Sequence, residues 1–320
     1  MSLGGPPNDP KPAMHRRALV KHSATRHCED VPIRATAHVL VIACGVLVAA
    51  CGAGQSPAPG ALPSTALPDG EQIRPGVVAA VTEPIGDPTG DVVVLVPGGG
   101  WVSADPSGMA PLAEHLAARG ATVVTLTYRT ARDGAYFPEP VHDIECGIAF
   151  AAATADGDPS AQETQSDPMI TVVGHSAGAQ LSAVAALNPT TSSDPDCPYP
   201  IARADTLVGL AGPYDVVAAE RQAVNLFGPE NPRLDQWDAG NPLVLAAERP
   251  ELPVLLVHGE DDPLVPASVS VAFSQALDEG GHPVDLSVLD GVDHHSVYGA
   301  DVAGPVIVSW LGLDAMAREA

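Results

Sequence analysis

A short apolar run that ends in a glycine-flanked serine constrains the fold of this chain more than any other feature. Residues 169–173 read M-I-T-V-V, residues 174–178 read G-H-S-A-G, and a helix-forming stretch follows at once. A strand, a tight turn and a helix in this order hold a serine on a strained backbone, and small flanking residues such as Gly174 and Gly178 leave room for the turn. The pattern predicts a nucleophile elbow with Ser176 as the nucleophile.

Apolar runs alternate with helical patterns through most of the chain. Strands are predicted at residues 77–82, 92–96, 122–128, 170–173, 206–210, 253–258 and 284–289. Helices are predicted at residues 109–119 and 141–153, after the elbow, and between and after the later strands. Valine- and leucine-rich strands alternating with helices indicate an α/β fold with a mostly parallel central sheet covered by helices on both faces. Residues 213–250 lack a strand pattern and are expected to form a cap over the site.

Three consecutive glycines follow the predicted strand at residues 92–96. The sequence P-G-G-G-W occupies residues 97–101. Because glycine has no side chain, the backbone N–H groups of such a loop can approach a substrate oxygen, as an oxyanion hole requires. We expect the donors to be the N–H groups of Gly99, Gly100 and Ala177.

An acidic loop follows the predicted strand at residues 253–258. Residues 258–266 read H-G-E-D-D-P-L-V-P. Ligand sites of open parallel sheets lie at the carboxyl ends of strands, and a carboxylate there can orient a catalytic histidine and stabilise its charged form. Asp262 is the favoured carboxylate, while Asp261 and Glu260 stay open as alternatives.

Two adjacent histidines follow the predicted strand at residues 284–289. Histidine can take the serine proton and return it to the leaving group near neutral pH. His294 is the favoured base and His295 is the alternative. No metal-binding spacing accompanies them, so no metal is expected. His175 lies within the elbow and is expected to help shape it.

The oxyanion loop, serine, acid and histidine occur in the chain order of α/β-hydrolases. From about residue 92 to residue 310 the sequence resembles the carboxylesterase branch of that superfamily, near the hormone-sensitive-lipase-like enzymes and a bacterial group with feruloyl-esterase-like and kynurenine-formamidase-like members. The matching stretches are residues 97–101, 127–129, 137–138 with Asp143, 174–178, 258–266 and 293–294. Pro97 stands where the family usually has histidine. The resemblance implies an α/β-hydrolase fold with Ser176 as nucleophile, Asp262 as acid and His294 as base.

These residues predict two-step acyl transfer through an acyl-enzyme on Ser176, with no cofactor. A small carboxylic ester is the expected substrate, by the resemblance, and an aryl formamide or other amide is the alternative. A catalytically silent binding lipoprotein with this fold belongs to a different class, and the complete Ser, Asp and His set argues against it. The formal net charge of -24 argues against nucleic acid as a partner, because phosphate binding requires clustered lysines and arginines.

The first fifty residues differ in composition from the rest. They carry six of the fifteen lysines and arginines and end in an apolar run at residues 39–50. Residues 48–51, V-A-A-C, resemble the lipobox of bacterial lipoprotein signal peptides. We therefore expect residues 1–50 to be a signal peptide and Cys51 to be lipidated, so that the protein is exported and anchored to the outer face of a bacterial cell membrane; an uncleaved membrane anchor is the alternative.

The Ala-, Pro-, Gly- and Ser-rich residues 51–69 are expected to be a flexible tether, and residues 70–320 a single hydrolase domain. Beyond the leader and Cys51, the cysteines are an even pair, Cys146 and Cys197. An oxidising compartment favours a disulfide between them, the alternative being two buried thiols.

Overall fold

The computed structural model describes residues 67, 69–156, 168–188, 194–229 and 234–313. The predicted signal peptide at residues 1–50, nearly all of the tether at residues 51–69, and Cys51 lie outside these ranges, so the export signal and the lipid anchor stay predictions. Within the described ranges no helix is both long enough and apolar enough to cross a bilayer.

The described part of the chain contains one eight-stranded sheet. Its strands are β1 (Glu71–Arg74), β2 (Val77–Thr82), β3 (Val92–Val96), β4 (Thr122–Leu126), β5 (Ile170–His175), β6 (Thr206–Leu210), β7 (Val254–Gly259) and β8 (Val284–Leu289). The strand order across the sheet is β1-β2-β4-β3-β5-β6-β7-β8. The pairs β1–β2 and β2–β4 are antiparallel, whereas the pairs from β4 through β8 are parallel.

The central strands are buried on both faces, which explains their continuous runs of apolar residues. Every residue of β3, β5, β6 and β7 is buried. In β3, Val92, Val94 and Val96 belong to the apolar cluster on one side of the sheet. Val93 and Leu95 belong to the cluster on the other side. Burial of each such side chain stabilises the fold by about 1.5–3 kcal/mol. The sheet is therefore a rigid support for the loops that follow its strands.

Helices cover both faces of the sheet. They are α1 (Ala110–Ala117), α2 (Glu139–Asp156), α3 (Ala177–Leu187), α4 (Glu220–Phe227), α5 (Leu234–Ala239), α6 (Pro242–Leu245), α7 (Ser268–Gly280) and α8 (Ala303–Leu311). Ile144 of α2, Leu181 of α3 and Phe273 of α7 lie in one cluster. Leu112 of α1 and Ile307 of α8 lie in the other. The predicted α/β architecture is therefore confirmed.

Two strands differ slightly from their predicted bounds, since β5 runs to His175 rather than to residue 173 and β7 spans Val254–Gly259 rather than residues 253–258. The structure also differs from the sequence predictions in two further strands. It adds β1, whose sequence E-Q-I-R has little apolar character and which pairs only with β2 in the strand order. It also ends β4 at Leu126, whereas the predicted strand ran to residue 128. The backbone N–H of Thr127 still donates to the carbonyl of Val78 at 2.8 Å, but the N–H of Val78 donates to the hydroxyl of Thr127 at 2.9 Å, so a side chain replaces the second of the two backbone bonds. The described part of residues 213–250 contains α4, α5 and α6 and no strand.

A disulfide joins Cys146 on α2 to Cys197 in the loop that precedes β6. The same loop carries Asp194, which lies 2.8 Å from the guanidinium of Arg74 on β1. The bond therefore holds an acidic loop against α2, and Glu145 lies on that helix directly before the bonded cysteine.

Candidate active site

Ser176 stands on the turn between β5 and α3. Its backbone has φ 52° and ψ -122°, a conformation that non-glycine residues rarely adopt. A Cβ at Gly174 would collide with the backbone of Gly178, and a Cβ at Gly178 would collide with the carbonyl of Pro97. The two glycines thus allow the close strand-to-helix turn that the sequence pattern predicts, and the turn presents the serine hydroxyl at the carboxyl edge of the sheet.

The structure brings Ser176, His294 and Asp262 together. His294 Nε2 lies 2.9 Å from Ser176 Oγ, and His294 Nδ1 lies 2.6 Å from Asp262 Oδ2. An ionised carboxylate only accepts hydrogen bonds, so Nδ1 carries the proton and donates it to Asp262. With the Nδ1 proton directed at Asp262, Nε2 is the nitrogen that faces the serine hydroxyl, which is the arrangement that a general base requires.

The turn after β7 holds Asp262 as an ionised acceptor. Its Oδ1 accepts from the backbone N–H of Leu264 at 2.8 Å and of Val265 at 2.9 Å. Burial by itself raises the pKa of Asp262, but the hydrogen bonds from Val265, His294 and Leu264 outweigh burial and hold the pKa below its usual value. The carboxylate thus stays charged where it can stabilise a histidine cation.

The alternative acids and the alternative base lie elsewhere. Glu260 and Asp261 are exposed and precede the buried carboxylate. His295 is also exposed, and its ring lies edge-on to that of His294 with centroids 5.5 Å apart. Among the hydrogen bonds of the described residues, none joins these three side chains to Ser176.

The glycine loop after β3 takes a backbone path that side chains would obstruct. Gly99 has φ 140°, Gly100 has φ 58° and even Trp101 has φ 61°. A Cβ at Gly99 would collide with the carbonyl of Ser103. All three loop residues line the same cavity as Ala177, so the structure places the predicted oxyanion donors around one space next to the serine.

This loop is held in place by buried side chains. The sequence predicted none of their contacts. Trp101 Nε1 donates to Gln180 Oε1 at 2.8 Å, and Gln180 Nε2 donates to the carbonyl of Gly240 at 2.7 Å. The hydroxyl of Tyr128 donates to the carbonyl of Pro97 at 3.1 Å, so the residue in the histidine position of the family is held through its backbone. Gln180 is the one amide in a helix of small residues and is fully buried. Because a buried amide needs hydrogen-bond partners, its place in this helix was the available signal for a structural role.

His175 connects the elbow to the loop of the catalytic histidine. Its Nε2 lies 2.8 Å from the carbonyl of His294, and a carbonyl only accepts, so Nε2 carries the proton. Burial, followed by the neighbouring charge of His294, lowers the pKa of His175 to about 3. The ring also contacts Tyr298, with centroids 4.5 Å apart. A permanently neutral His175 therefore supports the backbone of the base, in agreement with its expected shaping role.

A cavity of about 900 Å³ opens over the serine. Its wall includes Trp101, Met109, Gln222, Leu264, Val269 and Tyr298. The charged side chains on this wall are Asp105 and Asp215, and no lysine or arginine of the described residues lines it. Residues 218–219 and α4 form part of the wall, so the predicted cap segment covers one side of the site.

The chain matches the model of one protein family and resembles named esterases. The family model, BD-FAE, matches residues 83–277. The chain is 31% identical over 220 residues to Esterase LipQ of Mycobacterium tuberculosis, covering 63% of this chain and 49% of that protein. It is 29% identical over 226 residues to the probable isoprenylcysteine alpha-carbonyl methylesterase ICMEL1 of Oryza sativa subsp. japonica, covering 65% of this chain and 51% of that protein. The chain thus spans about half the length of these relatives.

A solved structure supports the fold. The acetyl ester-xyloside bifunctional hydrolase from Caldicellulosiruptor lactoaceticus superposes with a TM-score of 0.60 at 21% identity, covering 76% of this chain and 88% of that one. At this identity the likeness concerns the fold alone. Together with the parallel sheet and the elbow, it confirms the expected α/β-hydrolase fold.

Proposed function

The chain belongs to the BD-FAE family, and from this membership and the geometry of the Ser176 site we propose that it is a serine carboxylesterase acting on small carboxylic esters. One observation carries the proposal. A serine on a strained turn lies 2.9 Å from a histidine that lies 2.6 Å from a buried carboxylate. Such a chain of hydrogen bonds activates a hydroxyl for attack on a carbonyl carbon.

In the first step, Ser176 Oγ attacks the ester carbonyl while His294 Nε2 accepts the hydroxyl proton. The histidine becomes a cation between two hydrogen-bonded partners, and Asp262 stabilises that charge without taking the proton. The N–H groups of Gly99, Gly100 and Ala177 are the proposed donors to the oxyanion. When the tetrahedral intermediate collapses, the histidine returns its proton to the departing alcohol and the acyl group stays on the serine.

In the second step, water replaces the alcohol. His294 Nε2 takes a proton from the water as its oxygen attacks the acyl carbon, the same N–H groups hold the oxyanion, and the histidine then protonates Ser176 Oγ as the acid leaves. Every proton in this cycle moves through one nitrogen atom. No cofactor enters the proposed mechanism.

The wall of the cavity supports uncharged substrates. Its charged side chains are two carboxylates, Asp105 and Asp215, so an ester that carries its own carboxylate meets repulsion there. The volume of about 900 Å³ is sufficient for a small ester. The esterase names of the reported relatives agree with this substrate class.

The test is hydrolysis of p-nitrophenyl acetate and butyrate by the chain from residue 52 onward, called here the soluble domain, with Ser176→Ala beside the parent. We expect turnover by the parent and none above background by the variant, whose far-UV circular dichroism stays unchanged. Ser268→Ala, an exposed serine at the start of α7, serves as the matched control and keeps full activity. Faster hydrolysis of an aryl formamide of similar size than of these esters would shift the assignment to the amide alternative.

We also propose that the protein is exported and held at the membrane by a lipid on Cys51. Residues 48–51 support this proposal, as does the disulfide between Cys146 and Cys197, since such bonds persist in oxidising compartments. The test is metabolic labelling with an alkyne fatty acid in a bacterial host. We expect labelling of the parent and none of Cys51→Ser, and equal labelling of both would refute the anchor.

A further inference from the structure

A second buried histidine touches the catalytic carboxylate. His258 lies in β7, four residues before Asp262, and its side chain is completely inaccessible to solvent. Its Nε2 lies 2.9 Å from the carbonyl of Val265 and 3.2 Å from Asp262 Oδ2. Its Nδ1 lies 2.6 Å from Ser270 Oγ on α7. The steps of ester hydrolysis described above leave both His258 and Ser270 without a role.

The partners of His258 determine where its proton lies. The carbonyl of Val265 and the carboxylate of Asp262 only accept hydrogen bonds, so Nε2 carries the proton and faces both of them. Burial lowers the pKa of His258, so the ring is neutral and Nδ1 is an acceptor. The hydroxyl of Ser270, itself fully buried, then donates to Nδ1. The carbonyl of Val265 thus sets the tautomer, and the serine hydroxyl supplies the donor that Nδ1 requires in it.

We propose that His258, through its hydrogen bond to the turn of Val265 and its contact with Asp262, is a positioning residue that orients Asp262 toward the catalytic histidine. The proposal rests on the proposed esterase function. Asp262 Oδ2 accepts from His294 Nδ1 and lies 3.2 Å from His258 Nε2, while Oδ1 accepts from two backbone N–H groups. Because both oxygens have donors on them, rotation of the carboxylate about its Cβ–Cγ bond breaks hydrogen bonds, and outer partners of this kind keep a reacting group in place.

The contact to Val265 extends the same role to the backbone. Asp262 Oδ1 holds the N–H of Val265, and His258 holds the carbonyl of the same residue. The turn that carries the catalytic carboxylate is thus fixed from within β7. Loss of the His258 donor is expected to loosen the carboxylate and its turn together.

Two substitutions of His258 separate positioning from packing. In His258→Gln the amide nitrogen can reach the place of Nε2 and still donate to the carbonyl of Val265 beside Asp262, whereas in His258→Asn the shorter side chain cannot. His282→Asn is the matched control, because His282 is a buried histidine whose Nδ1 bonds the carbonyl of Leu252 away from the site. Ser270→Ala is a second route to the same effect, since it leaves the buried Nδ1 of His258 without its hydrogen-bond partner.

The first measurement is steady-state hydrolysis of p-nitrophenyl butyrate. We expect His258→Asn to lower kcat about tenfold to a hundredfold with KM nearly unchanged, His258→Gln to keep most of the activity, and His282→Asn to keep kcat. In an Asp262→Asn background, His258→Asn should cost less than about twofold more, because its partner is already altered. Losses that multiply in that background would refute action through Asp262.

The second measurement needs no substrate. The short hydrogen bond between His294 and Asp262 gives a proton resonance far downfield in the NMR spectrum, and we expect it to move upfield in His258→Asn and in Ser270→Ala but not in His282→Asn. An unchanged resonance in both variants would overturn the proposal, whatever activity the two variants have. If the parent hydrolysed no ester while the resonance moved as expected, the esterase assignment would fail and the positioning contact would stand.

Discussion

Glu145 offers a quantitative test of the electrostatics around the disulfide. It lies half-buried on α2, and burial raises its pKa from 4.5 to about 7. The charge of Asp194 raises the pKa further in the same direction, while Arg203 and Arg74 oppose the rise. The folded protein therefore binds a proton at Glu145 more tightly than the unfolded chain does.

The sign of the stability effect follows from this difference in proton binding. Between pH 4.5 and about 7 the folded state holds more protons at Glu145 than the unfolded state, so its contribution to stability falls as pH rises through that window. Above the window the charged carboxylate costs the folded state up to about 3 kcal/mol, since each pKa unit corresponds to about 1.4 kcal/mol. Glu145→Gln removes this charge, so it should stabilise the protein at pH 8 by up to about 3 kcal/mol and at pH 5 by less than about 1 kcal/mol.

The assay is urea unfolding of the disulfide-intact soluble domain at pH 5 and pH 8, followed by circular dichroism. The quantity of interest is the difference between Glu145→Gln and the parent at each pH, since the titration of all other groups cancels. Glu114→Gln, an exposed carboxylate on α1, reports the effect of net charge alone. A stability difference that is equal at both pH values would refute the reasoning, because it would mean that Glu145 titrates alike in the folded and unfolded states.

Three further predictions concern single contacts. Cys146 and Cys197 close a loop with a sequence separation of 51, so replacing both with alanine should lower the free energy of unfolding by about 4 kcal/mol in urea titrations; a loss below about 1 kcal/mol would contradict the loop-closure argument. Asp262→Asn should lower kcat on the order of ten-thousandfold in the p-nitrophenyl assay because the amide favours the wrong histidine tautomer, and a loss under tenfold would count against the triad. Gln180→Leu leaves the buried N–H of Trp101 without its acceptor, so it should lower kcat about tenfold and the free energy of unfolding by about 1–3 kcal/mol. An unchanged kcat would mean that this hydrogen bond does not position the oxyanion loop.

The parts of the site that the sequence predicted are those fixed by local spacing. The elbow around Ser176 needs small residues two positions before and after the serine, and the sequence shows glycine at both positions. The parallel sheet was predictable because strands buried on both faces must be continuously apolar. Chain order then limited the acid and the base to the loops after β7 and β8.

The choice among neighbouring residues needed three-dimensional contacts. Asp262 was one of three acidic candidates, and what selects it is a turn in which its own Oδ1 accepts two backbone N–H groups. Gln180 is separated by 79 residues along the chain from Trp101, its partner, so no sequence pattern joins them. The strand β1 escaped prediction because it has a short polar sequence and pairs with a single neighbour.

The central claim is that the acyl group of the substrate passes through Ser176. The most direct measurement is mass spectrometry of the soluble domain, quenched in acid within the first turnovers of p-nitrophenyl butyrate and then digested. We expect a butyryl group on the peptide that contains Ser176, and none on that peptide in the Ser176→Ala variant. Steady turnover with the acyl group on another residue, or with no acylated peptide at all, would contradict it.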